Sequence, residues 1–104
     1  MQDKFLMAVG LAKRAGHAVF GTEQVRDSAK AKKAKLIIIA SDVSENTKKE
    51  ISDTASFYET ECIHSCYTMA QLSSAAGLLR NTSSLAVTDD NMTVLIKNSI
   101  NTKM

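Results

Sequence analysis

The sequence predicts an α/β protein: a three-layer α/β/α sandwich in which a central four-stranded mixed sheet is covered by about five helices. Three observations carry that expectation. Segments of helical and of extended period alternate along the whole chain, as they do where strands pack beneath helices. Leu36-Ile37-Ile38-Ile39-Ala40 is a continuous and largely β-branched apolar run, the signature of a strand buried on both faces. The 104 residues include no proline and contain no Gly/Ser-rich linker or internal repeat, which suits a single domain, 1–104, around one core.

The first helix is expected from about Asp3 to Ala15, with Phe5, Val9 and Ala12 on one stripe and Gly16 placed to stop it. Ala18-Val19-Phe20 is a short extended piece that ends at Gly21. Thr22 is positioned to cap a second helix, with Glu23 in its first turn to complement the helix dipole. That helix reaches to about Lys33 on a thin stripe of Val25 and Ala29, so most of its surface faces solvent or a partner. After the buried strand, Asp42 or Ser44 caps a third helix whose stripe is Thr47, Ile51, Ala55 and Tyr58.

Glu61 to Cys66 reads as the next strand. Thr68 and Gln71 have the spacing of a capping box, opening a helix with Met69, Leu72 and Ala76 inward and Gly77 as its stop. Arg80 to Ser84 is a polar loop, and Leu85-Ala86-Val87 the fourth strand. Asp89-Asp90-Asn91 then turns into a last helix with Met92, Leu95, Ile96 and Ile100 on one side.

Several function classes are excluded or disfavoured. The longest apolar run falls far short of the ~20 residues a membrane-spanning helix needs. Lys4, Lys13 and Arg14 interrupt the amino-terminal apolar residues, unlike a secretory signal, so the expected location is the cytoplasm. Cys62 and Cys66 are too few for a disulfide scaffold, and their C-x-x-x-C spacing is not that of a zinc knuckle or redox centre. Buried, reduced thiols are expected there, His64 as a half-buried strand residue, and no bound metal. Phosphate loops, dinucleotide fingerprints and nucleophile elbows are all missing. Asp42, at the end of the buried strand, is read as a cap in preference to a catalytic acid. No enzymatic activity and no cofactor are expected.

The net charge of +2 conceals an asymmetry. Residues 1–35 carry eight Lys or Arg against three acids, whereas the remainder carries five basic and eight acidic side chains. A basic half of this kind suits a polyanionic partner. Beside it lies the junction Phe20-Gly21-Thr22-Glu23-Gln24. Glycine permits close approach of a ligand to the backbone, and the helix start offers unpaired N–H groups. Glu23 and Gln24 suit base edges, because their side-chain oxygens accept from exocyclic amines and ring N–H groups. Surrounding lysines and arginines supply attraction for phosphate.

At these residues the chain resembles the kink-turn RNA-binding ribosomal protein family, in its small bacterial YlxQ-like branch. The resemblance rests on Gly10-Leu11-Ala12-Lys13-Arg14-Ala15-Gly16, on Gly21-Thr22-Glu23-Gln24-Val25 and on the stretch from Ala34 to Lys49, and covers nearly the whole chain. It implies the same sandwich, and a monomer that binds structured RNA, with kink-turns, rRNA or the ribosome as candidates. Gly21 and Thr22 would approach the RNA backbone, and Glu23 and Gln24 would address guanine edges in tandem sheared G·A pairs. Lys13, Arg14, Lys30 and Lys35 would neutralise phosphates, and a second loop at Asn81 and Thr82 would meet an extruded base. The chain differs from many members in having Asp27 for a lysine, Ser73 for a glycine and a wholly polar loop at 81–84 where some place an aliphatic residue. The alternative on the same fold is a protein-interaction module, suggested by the polar second helix and the acidic carboxyl-terminal half.

Overall fold

The computed structural model describes residues 3–103, and the side chains of residues 3–100. Within them the elements run α1 (Lys4–Arg14), β1 (Ala18–Phe20), α2 (Thr22–Lys30), β2 (Leu36–Ile39), α3 (Glu45–Phe57), β3 (Glu61–His64), α4 (Met69–Ala76), β4 (Ser84–Val87) and α5 (Asp90–Lys103). The strands form one mixed sheet in the order β1-β4-β2-β3. β4 is antiparallel to both β1 and β2, and β3 runs parallel to β2. Helices α1, α4 and α5 pack together as one layer, and α2 and α3 as the other. The architecture is the α/β/α sandwich read from the sequence.

β2 and β4 hold the centre of the sheet, and every residue of both is buried. Leu36 to Ile39 are covered on both faces, which is why a run without polar alternation works there. The parallel β2–β3 pair requires a crossover connection, and α3 provides it. Stripe residues Phe5, Val9 and Ala12 of α1, Val25 and Ala29 of α2, and Ile51 and Ala55 of α3 all enter the core. In α5, Met92, Ile96 and Ile100 are buried but Leu95 is 42% exposed, so its apolar face is narrower than expected.

The helix starts follow side-chain chemistry. Asp3 accepts from the N–H groups of Phe5 and Leu6, Ser44 from Thr47, and Thr68 and Gln71 close a reciprocal capping box. Asp42 caps a different helix from the one its spacing suggests. Its carboxylate accepts from the N–H of Met69 at 2.8 Å, so it caps α4 across space and leaves α3 to Ser44.

Helices α1 to α4 all end in a left-handed residue, at Gly16, Lys32, Glu59 and Gly77. In each, the next N–H donates back to a carbonyl five residues earlier: His17 to Ala12, Lys33 to Ser28, Thr60 to Ala55 and Leu78 to Ser73. This is a Schellman closure, which satisfies carbonyls that would otherwise lack partners. Lys32 takes a position usually given to glycine, which is why α2 stops at Lys30 and not near Lys33.

Two contacts fix α1. A Cβ on Gly10 would lie 2.8 Å from the carbonyl oxygen of Ala75, so glycine lets α1 approach the α4 backbone closely. Phe5 stacks on Tyr67 with ring centroids 4.5 Å apart, and the Tyr67 hydroxyl donates to Asp3 Oδ2 at 2.7 Å. Burial first, and then the Asp3 carboxylate, push the Tyr67 phenol above its ordinary range. The thiols depart from expectation. Cys62 is half-buried, and burial raises its thiol pKa, but Cys66 is exposed and so is His64, because β3 is an edge strand that ends at His64.

Candidate functional site

β1 passes directly into α2 at Gly21, whose φ of 100° and ψ of 151° fall in a region open essentially to glycine alone. Gly21 is therefore the N-cap, and Thr22, expected in that role, is the first helical residue. The Thr22 hydroxyl is engaged elsewhere. It shares a hydrogen bond with Ser83 Oγ at 2.7 Å, joining the junction to the loop between α4 and β4. The Gly21 N–H donates to the carbonyl of Ser84 at 3.0 Å, and the Ser83 carbonyl accepts from Ala40 at 2.9 Å. Two segments about sixty residues apart in sequence are thereby held at fixed spacing.

Between them lies an open groove of about 790 Å³. Lys13, Gly21, Thr22, Gln24, Asn81 and Thr82 line it, so six of the residues singled out in the sequence are brought together. Glu23 is exposed in the first turn of α2 beside Gln24. Thr82 is 5% exposed and its hydroxyl donates to the Ser84 carbonyl, so it shapes the loop while Asn81 faces solvent. The polarity of this loop thus has an internal cause: its hydroxyls satisfy buried groups.

The other cations stand apart. Arg14 lines a second groove, on the α1–α4–α5 face. Lys30 closes α2 at the end opposite the junction, about 12 Å along the helix from Thr22. The Lys35 N–H donates to the Val87 carbonyl, at the far end of β4 from Ser84, and its ammonium lies 4.0 Å from Asp90.

Three groove residues were not among the site residues expected from the sequence. Phe20 contributes a half-buried ring from β1, and Arg80 adds a second cation to the lining besides Lys13. Leu79 is fully exposed at the groove. It follows the Gly77 stop, where no helix face remains to bury it, and that position is the signal that could have identified it. Ser73 donates from its hydroxyl to the Arg80 carbonyl at 2.6 Å and fastens the loop to α4.

Among the described residues no group of three or more His, Cys, Asp or Glu is placed to hold a metal ion, and no helix is long and apolar enough to cross a membrane. A glycine-kinked strand–helix junction, braced by hydroxyls against a facing loop across an open groove, defines a small α/β/α protein with an open cleft at one end of its sheet. The chain belongs to the ribosomal protein L7Ae/L30e/S12e/Gadd45 family, whose model matches residues 3–96.

Among its relatives, the RNA-binding protein YlxQ of Enterococcus faecium is 41% identical over 61 residues, a match that spans 59% of this chain and 59% of that protein. A protein with unknown function from Bacillus halodurans C has a similar structure, with a TM-score of 0.86 at 26% identity, covering 96% of this chain and 99% of that one. A 15.5kD RNA binding protein of Giardia lamblia shares the fold at a TM-score of 0.72 and 14% identity, over 95% of this chain and 83% of its own.

Proposed function

We propose that the protein is a non-catalytic, monomeric, cytoplasmic RNA-binding protein that grips a sharply bent RNA in the groove between the α2 start and the α4–β4 loop. The observation that carries this reading is the Thr22–Ser83 hydroxyl pair, which holds two exposed contact segments at fixed spacing. On one side Glu23 and Gln24 address guanine edges, with Gly21 giving the RNA backbone close access. On the other, Leu79 and Asn81 meet an unstacked base, Leu79 supplying the aliphatic contact that the polar 81–84 loop lacks.

Lys13 and Arg80 flank the groove and attract phosphate, while Lys30 and Lys35 add longer-range attraction from beyond α2. The whole chain acts as one RNA-binding domain, with rRNA as a natural source of such bends. The RNA-binding names of the Enterococcus faecium and Giardia lamblia proteins support the assignment.

The test is a fluorescence titration with an RNA kinked by tandem G·A pairs and with a straight duplex of matched length. Expected are a clear preference for the kinked RNA and an affinity that falls steeply with salt. Equal affinity for the two RNAs would refute recognition of a bend.

A further inference from the structure

The second groove, on the α1–α4–α5 face, differs in chemistry from the proposed RNA groove. It encloses about 800 Å³ and shares no lining residue with the proposed RNA groove. Its walls are mainly apolar, formed by Leu6, Met7 and Leu11 of α1, Ala75 of α4 and Leu95 of α5, with Gln71, Ser74 and Ser99 as polar interruptions. Met7, Leu11 and Leu95 are 54%, 43% and 42% exposed, so this apolar surface is open to solvent. Gly10 creates the groove's shape by letting α1 lie directly on the Ala75 carbonyl.

The charges at its margins are of one sign. Lys4 lines one end and Arg14 the other, and neither Asp nor Glu lines the groove. The Arg14 guanidinium folds back along α1, with Nη1 3.4 Å from where a Gly10 Cβ would stand. Lys4 and Arg14 are ten residues apart on one helix, about 15 Å along its axis, and with the Arg14 head folded back to the level of Gly10 the two cations bracket about two turns of a docked helix.

We propose that this groove docks an acidic amphipathic helix of a protein partner, in addition to the RNA bound at the other groove. The partner's apolar stripe lies on Leu6, Met7, Leu11 and Leu95, the helix-in-groove mode of recognition, and its carboxylates meet Lys4 and Arg14. Met7 adapts to the partner's side chains through its flexible thioether. A second copy of this chain is a poor occupant, because two such faces would set Lys4 and Arg14 against their own counterparts. Nucleic acid is a poor occupant too, since the walls offer no aromatic ring on which a base could stack.

The experiment uses the full chain and two synthetic helical peptides with the same leucine stripe, one flanked by glutamates and the other by lysines. Fluorescence anisotropy should show the glutamate peptide binding at least about tenfold more tightly than the lysine peptide. Leu11→Ser, at a position 43% exposed, should weaken that binding by about tenfold, while circular dichroism shows the variant still folded at the assay temperature. The double variant Lys4→Glu/Arg14→Glu should invert the ranking of the peptides.

Equal binding of the two peptides, binding of neither, or indifference to Leu11→Ser would overturn the proposal. Sedimentation showing a dimer that Leu11→Ser dissolves would assign the face to a second copy instead. Binding to phosphatidylserine vesicles but to neither peptide would assign it to a lipid surface, and both results count against a protein helix.

Discussion

The two grooves are close to equal in size, near 790 and 800 Å³, yet they are built on opposite principles. The groove at the β1–α2 junction is shaped by a glycine in a conformation that other residues avoid, and its margins are locked by hydroxyl hydrogen bonds. The groove on the α1–α4–α5 face is shaped by a glycine in ordinary helical backbone, whose missing side chain permits close packing. The first fixes polar groups in space and suits a ligand read by hydrogen bonds. The second leaves exposed aliphatic surface and suits a ligand recognised by burial. On one small sandwich, glycine thus shapes a groove in two ways, through dihedral freedom at Gly21 and through close approach at Gly10.

Substitution at the two glycines should separate these principles, and Gly21→Ala should have the largest effect. The strained φ alone should cost about 1–3 kcal/mol of stability, lowering the midpoint in urea unfolding. RNA affinity should fall further than that loss of fold explains, while peptide binding at the other groove persists in the folded fraction.

Gly10→Ala comes next. Overpacking against the Ala75 carbonyl should destabilise the fold by about 1–3 kcal/mol, read in the same denaturation experiment. Here the preference for kinked RNA should survive. If Gly10→Ala abolished that preference while Gly21→Ala spared it, the division between the grooves would be wrong.

Leu79→Ala sharpens the comparison without touching the fold. The side chain is fully exposed, so the melting temperature should stay put while affinity for an RNA with an extruded base falls several-fold. The smallest effect belongs to Thr22→Val, which removes the brace to Ser83 at 2.7 Å. Its stability cost should be about 0.5–1.5 kcal/mol, and hydrogen exchange should quicken at Ser83 and Ser84 as the loop loosens.

Most of the framework was legible in the sequence because each element has a local cause. The β-branched run at Leu36 to Ile39 needed two covered faces, Thr68 and Gln71 needed a helix start, and Gly16 and Gly77 mark left-handed stops. The errors fall where a residue's role is decided by a distant partner. Asp42 caps α4 because the fold brings Met69 to it, and Thr22 gives up its cap for Ser83, about sixty residues away. Lys32 ends α2 in a left-handed conformation that nothing in its side chain announces.

The candidate site was legible in the same uneven way. Gly21 and Gln24 stand where the junction motif implied, but the motif said nothing about Leu79 or Arg80, which share the groove only through tertiary packing. Bulk charge was a blunter guide. Of the four cations singled out, Lys13 reaches the groove, Lys30 and Lys35 lie toward the other end of α2 and the sheet, and Arg14 lines the second groove.

The most direct measurement is the affinity of the Glu23→Ala/Gln24→Ala double variant for the kinked RNA and for the matched straight duplex. Both side chains are exposed, so the fold should be unaffected. Affinity for the kinked RNA should drop by about 1–3 kcal/mol for each base edge left without its hydrogen-bonding side chain. The preference over the duplex should vanish while the residual, salt-sensitive binding remains. If the variant distinguished the two RNAs as well as the unaltered protein does, the junction would not be the part of the molecule that reads RNA.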